Sequence, residues 1–114
     1  MINGVHFMLY SADAEADRAF IRDKLRFTGV DAGDEWLIFQ LPPAEIAVHP
    51  AERMRSEIYL MCDDIEATLA ELKDRGVQLA EPVADRGWGL IAAIRLPSGA
   101  DLGIYQPRHP IAHA

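Results

Sequence analysis

The chain repeats itself, and that repeat limits the folds open to it. The order strand-helix-strand-strand-strand reads once from Gly4 to His49 and again from Glu57 to Gln106. The copies match in residues as well as in order. VHFMLY (from Val5) aligns with EIYLMC (from Glu57) when His6 is set against Glu57. AEIAVH (from Ala44) aligns with ADLGIY (from Ala100), pairing Glu45 with Asp101, Ala47 with Gly103 and His49 with Tyr105. The approach to that last strand matches too, Leu41-Pro42 standing against Leu96-Pro97. Two copies of one unit predict an α+β fold: module 1 over about 1–50, module 2 over about 56–107, and a loose Pro- and His-bearing tail at 108–114 that holds His109 and His113.

Periodicity places the elements. Gly4 to Tyr10 alternates Val5, Phe7 and Leu9 with His6, Met8 and Tyr10, a strand with two distinct faces. Ser11 or Asp13 caps a helix with acidic residues early, basic residues late and a stripe of Ala16, Phe20, Ile21 and Leu25. A weak strand at Thr28 to Val30 and clearer ones at Glu35 to Leu41 and Glu45 to His49 complete the first module. In the second, Glu57 to Cys62 is a strand with Ile58, Leu60 and Cys62 on one face. Asp63 or Asp64 then caps a helix whose Ile65, Leu69 and Leu72 fall on one side and which Gly76 ends. A weak strand at Gln78 to Val83 and strong ones at Trp88 to Leu96 and Asp101 to Gln106 follow, with Pro97-Ser98-Gly99 as a turn.

Composition narrows the partners. With 114 residues, half of them hydrophobic, the chain is long enough for a core without disulfides. Eleven basic against eighteen acidic residues give a net charge of −7, which argues against a nucleic acid or an anionic membrane as partner. A small-molecule ligand or substrate is the class that remains. The one cysteine, Cys62, cannot form an internal disulfide and points to a reducing cytoplasm. Neither a signal peptide nor a membrane-spanning run is legible.

Taken together, the doubled unit, the segment EIYLMCDDIEATLAELKDRGV and the closing GWGLIAAIRLPSGADLGIY resemble the vicinal oxygen chelate superfamily, which includes glyoxalase I, extradiol dioxygenases and bleomycin-resistance proteins. The resemblance spans nearly the whole chain. It implies two paired βαβββ modules forming a cupped mixed sheet, with helices on the outer face. It also implies a homodimer whose modules pair within one chain or across two. Val5, Phe7, Leu9, Ile46, Val48, Ile58, Leu60, Leu102 and Ile104 should then face the helices. The cup should be lined by His6, Met8 and Tyr10, by Glu45, Ala47 and His49, by Glu57, Tyr59 and Met61, and by Asp101, Gly103 and Tyr105.

Where family members bind a divalent metal (iron, manganese, zinc or nickel), the ligands come from the first and last strands of each module. His6 and Glu57 occupy the two first-strand positions. Ala47 and Gly103 occupy the two last-strand positions and have no donor atom. His49, two residues beyond Ala47 on the same face, lies about 7 Å further along the strand. With His6 and Glu57 it makes a two-His, one-carboxylate set of the kind that suits non-haem iron; the plain alternative places it on the rim of the cup.

Without a metal the same residues still have chemistry. Glu57 can serve as a general base, with His6 or Tyr105 as proton donor. Tyr10, Tyr59 and Tyr105 can hydrogen-bond a ligand, Met8 and Met61 give an adaptable floor, and Trp36 and Trp88 can pack or stack on an aromatic ligand. Cys62 is expected as an inert core thiol. Two functions follow: a glyoxalase- or dioxygenase-like enzyme that uses a divalent metal in the cup, or a metal-free binding or sequestration protein of the bleomycin-resistance type.

Overall fold

Capping and alternation produce the elements where the sequence places them. The structure, a computed structural model, describes residues 9, 11–32, 37–45, 50, 52–53 and 56–110. Its elements run α1 (Ala14–Asp23), β1 (Gly29–Asp31), β2 (Leu37–Phe39), β3 (Tyr59–Met61), α2 (Ile65–Asp74), β4 (Gln78–Asp85), β5 (Gly89–Arg95) and β6 (Asp101–Pro107). At the start of α1 the Ala16 N–H donates to the Asp13 carboxylate at 3.2 Å, and the Asp13 N–H to the Ser11 hydroxyl at 3.0 Å, so both candidate caps take part. Asp64 caps α2 by accepting from the Ala67 N–H at 3.1 Å. Gly76, at φ +81°, ends α2 as predicted: its left-handed backbone lets the Val77 N–H turn back onto the Leu72 carbonyl at 3.0 Å.

Elements β3, α2, β4, β5 and β6 form one βαβββ unit with strand order β3-β6-β5-β4. The parallel β3–β6 pair sets Tyr59 against Gly103 and Met61 against Tyr105. Alternation on β5 and β6 sends Ala92, Ile94, Leu102 and Ile104 inward, where they meet Ile65 and Leu72 of α2, Phe20 of α1, Val77 and Leu96. Ile65 is fully buried, a contribution of about 2 to 3 kcal/mol. Leu60 and Cys62 pack against this core as the helix-facing assignment requires, and burial raises the Cys62 thiol above its usual range.

The helices also hold the sheet by polar contacts. The Ile65 N–H donates to the Gln106 side-chain carbonyl at 2.8 Å, tying the start of α2 to β6. Arg75 donates to the Lys24 carbonyl at 2.9 Å, joining the ends of the two helices. No helix among the described residues is long and apolar enough to cross a membrane.

Several boundaries differ from expectation. The strand predicted at Gln78 to Val83 runs on to Asp85. It is a sheet edge carrying Pro82, with register shifts between Leu79 and Glu81 and between Glu81 and Ala84. Pro82 and those irregularities break the alternation that a sequence reading relies on. Strand β2 spans three residues where Glu35 to Leu41 was expected; Gln40 and Leu41 lie outside it, and residues 33–36 lie outside the described residues. Glu45 has no regular structure, and the rest of its predicted strand, 46–49, lies outside the described residues. The predicted strand at 4–10 is likewise outside them except for Leu9, which is 39% exposed rather than covered by a helix. Among the described residues β1 and β2 form a two-stranded antiparallel sheet of their own.

Candidate functional site

The face of the large sheet opposite the core carries a wall of rings. Two glycines make room for it. At Gly103 an added Cβ would overlap the Tyr59 ring and come within 3.1 Å of the Ile58 carbonyl, so Tyr59 lies directly over that residue. At Gly89 an added Cβ would overlap the Tyr105 ring and stand 2.8 Å from the Gln106 carbonyl. The two tyrosines meet edge-on, ring centres 5.8 Å apart at 61°. Trp88 meets Tyr105 on another side at 5.4 Å and 73°. Both geometries suit the ring quadrupoles.

Trp88 lies in the bend before β5, not in the strand predicted to begin with it, and half of it is exposed. The bend is fastened. The Arg86 N–H donates to the Gly89 carbonyl at 2.9 Å, the Gly87 N–H to the Asp85 carboxylate at 2.9 Å and the Arg108 N–H to the Trp88 carbonyl at 3.0 Å. The Arg108 guanidinium also reaches both Asp85 oxygens, at 2.7 and 2.8 Å. The Gly87 N–H, with Arg108 second, holds the Asp85 carboxyl below its usual range.

Those bonds also bring His109 to the site, although the sequence places it in a loose tail. Its ring stands 5.7 Å from Tyr105, its Nε2 is hydrogen-bonded to the Tyr105 hydroxyl, and its Nδ1 lies 2.8 Å from the Pro110 carbonyl. Glu45 of the first module lies at the same nitrogen, its Oε1 4.0 Å from His109 Nε2. Burial, and secondarily the Glu45 charge, raise the Tyr105 hydroxyl above the ordinary tyrosine range, so it stays neutral. The Tyr59 hydroxyl donates to Glu57 Oε2 at 2.9 Å.

Of the residues singled out from sequence, Glu57, Tyr59, Trp88 and Tyr105 are therefore brought together through the rings. Met61 shares their face and register, opposite Tyr105. His6, Met8, Tyr10, Trp36 and His49 lie outside the described residues. Sequence reasoning missed His109, and nothing in its neighbourhood signals a contact made only because Arg108 and Asp85 fold the segment back. Ser98 is more than a turn residue: its N–H and hydroxyl both donate to the buried Asp17 carboxylate, at 3.1 and 2.7 Å. A shallow groove of about 280 Å³ along β1 and β2, lined by Thr28, Gly29, Val30, Ile38, Phe39 and Gln40, contains none of the predicted site residues.

Of the expected ligand set His6, His49 and Glu57, only Glu57 lies among the described residues; it is exposed and its Oε2 accepts from the Tyr59 hydroxyl, while the Gly103 position has no donor and lies beneath the Tyr59 ring. Among the described residues no three His, Cys, Asp or Glu side chains gather as a ligand group. What the arrangement offers is an aromatic surface edged by carboxylates.

The family model of the Glyoxalase/Bleomycin resistance protein/Dioxygenase superfamily matches residues 5–104. Among solved structures the chain is similar to TnmS3, an antibiotic binding protein from Streptomyces sp. CB03234, at 24% identity and TM-score 0.67, covering 94% of this chain and 99% of that one. It is similar to a glyoxalase/bleomycin resistance protein/dioxygenase from Nocardioides at 17% identity and TM-score 0.60, covering 91% and 83%. It is also similar to a lactoylglutathione lyase from Agrobacterium tumefaciens at 16% identity and TM-score 0.61, covering 86% and 88%. At these identities the likenesses establish the fold. No curated protein matches the chain.

Proposed function

This chain belongs to the glyoxalase/bleomycin resistance protein/dioxygenase superfamily, and within it we propose that it is a metal-independent binding protein for a flat, cationic aromatic small molecule. The observation that carries this reading is the wall of Tyr59, Tyr105 and Trp88 seated over Gly103 and Gly89. A planar ligand stacks on such a wall, and the partly exposed Trp88 offers it the largest face. Glu57 and Glu45 at its edges favour positive charge, as does the net charge of −7. The antibiotic-binding activity of TnmS3 is in keeping with this reading. The single thiol fits a reducing, cytoplasmic setting.

Titration calorimetry with a matched pair of tricyclic probes tests it. 9-Aminoacridine, a cation, is expected to bind at least about tenfold more tightly than acridine-9-carboxylate. Trp88→Ala should weaken the cation's binding by about tenfold. Absence of binding by 9-aminoacridine sinks the reading. So does about one equivalent of metal in protein purified without chelator, if His6→Ala with Glu57→Ala removes it; that result would favour the metal-dependent enzyme.

The reading extends to a homodimer. β1 and β2 join no strand of the larger sheet among the described residues, and Val30 on β1 is 66% exposed. A second copy would cover that apolar surface. Sedimentation equilibrium should give twice the 12.7 kDa chain mass, and a single-chain mass at about 50 μM would argue against assembly.

A further inference from the structure

The hydrogen-bond direction at Tyr105 can be read from His109. A backbone carbonyl only accepts, so His109 Nδ1, 2.8 Å from the Pro110 oxygen, carries the ring proton. In the neutral imidazole Nε2 is then bare and accepts, which makes Tyr105 the donor in the bond between them. A phenol that has given its one proton to an imidazole can only accept from anything else. Tyr59 follows the same pattern, its proton directed at Glu57. Both phenols of the wall turn their protons inward, onto protein acceptors.

We propose that His109 is a positioning residue that sets the hydrogen-bond polarity of the site: it holds the Tyr105 proton away from the ligand, so that the site selects aromatic molecules carrying an N–H or O–H donor. This rests on the aromatic-binding reading above and adds to it the chemical class of the ligand's polar edge. Glu45, 4.0 Å from His109 Nε2, is a further acceptor on the same side. The raised ionisation range of Tyr105 keeps the phenol in its neutral form through this exchange.

The test uses three bicyclic probes of similar size in NMR titrations at about pH 8. Indole has an N–H donor, indene has no polar atom and quinoline has an acceptor. In the unaltered protein indole should bind about fivefold more tightly than indene, the worth of one neutral hydrogen bond. His109→Leu should bring that ratio to about one, and His109→Gln, whose amide oxygen still accepts the Tyr105 proton, should retain most of it. His109→Lys has donors only, so it should turn the Tyr105 proton toward the ligand and make quinoline the preferred probe over indole. The ratio is the readout because a damaged wall weakens all three probes together. An indole preference that survives His109→Leu, or no inversion with His109→Lys, overturns the proposal. If 9-aminoacridine binds but indole and indene do not differ, the polarity fails alone; if 9-aminoacridine does not bind either, the aromatic-binding reading falls with it.

Discussion

Replacing Gly103 by glutamate is expected to cost about 2 kcal/mol of stability and to create no metal site. The substitution supplies the carboxylate that the superfamily resemblance reserves for this last-strand position. Its Cβ, however, would enter the Tyr59 ring, with the Ile58 carbonyl 3.1 Å away on the other side. The ring must swing out, and in doing so it gives up the 2.9 Å bond to Glu57 and the edge contact with Tyr105. Binding of 9-aminoacridine should therefore fall by about tenfold along with stability. Gly103→Ala separates overlap from charge and should already show most of the loss. Combining it with Tyr59→Ala should recover stability beyond the additive sum, because the second change removes the atoms that collide. Urea unfolding and equilibrium dialysis against zinc, manganese and nickel read both halves. A Gly103→Glu protein as stable as the parent, taking up one ion per chain, would show that the ring wall is not what fills this position.

The residues of the second module explain why so much of it was legible. Leu102 and Ile104 alternate with Gly103 and Tyr105 without interruption, so one face had to meet α2 and the other had to carry the rings. Asp64 and Gly76 mark the ends of α2 by local chemistry that needs no tertiary context. β4 was underestimated because Pro82 and two register shifts disturb its period, and those are features an edge strand tolerates. The site was legible only in part for a different reason. Tyr59 and Tyr105 follow from alternation, but their use of Gly103 and Gly89 as seats depends on ring packing across strands. His109 depends on an ion pair between Asp85 and Arg108, twenty-three residues apart. Long-range pairings of that sort leave no periodic trace.

Asp17→Ala should lower stability by about 2 kcal/mol, close to about 8 °C in Tm for a domain of this size. Asp17 is only 5% exposed, and its carboxylate accepts both the N–H and the hydroxyl of Ser98. Removing it leaves a half-buried N–H and a hydroxyl without their acceptor, whereas the carboxylate it replaces was bonded on both oxygens. Ser98→Ala deletes only the hydroxyl half and should cost less, and the double variant should cost less than the sum of the two. Near-additivity would mean that the two residues act separately and that the contact holds nothing together. The position of the contact gives the result a second reading. Asp17 belongs to the helix of the first module, and Ser98 to the turn joining β5 and β6, the strands that carry Gly89 and Tyr105. If the bond fixes that turn, thermal unfolding of Asp17→Ala should remain one cooperative step at lower temperature, because Phe20 of α1 shares the core with Ile94 and Ile104. If instead α1 comes away first, helix signal by circular dichroism should be lost before the environment of Trp88 changes.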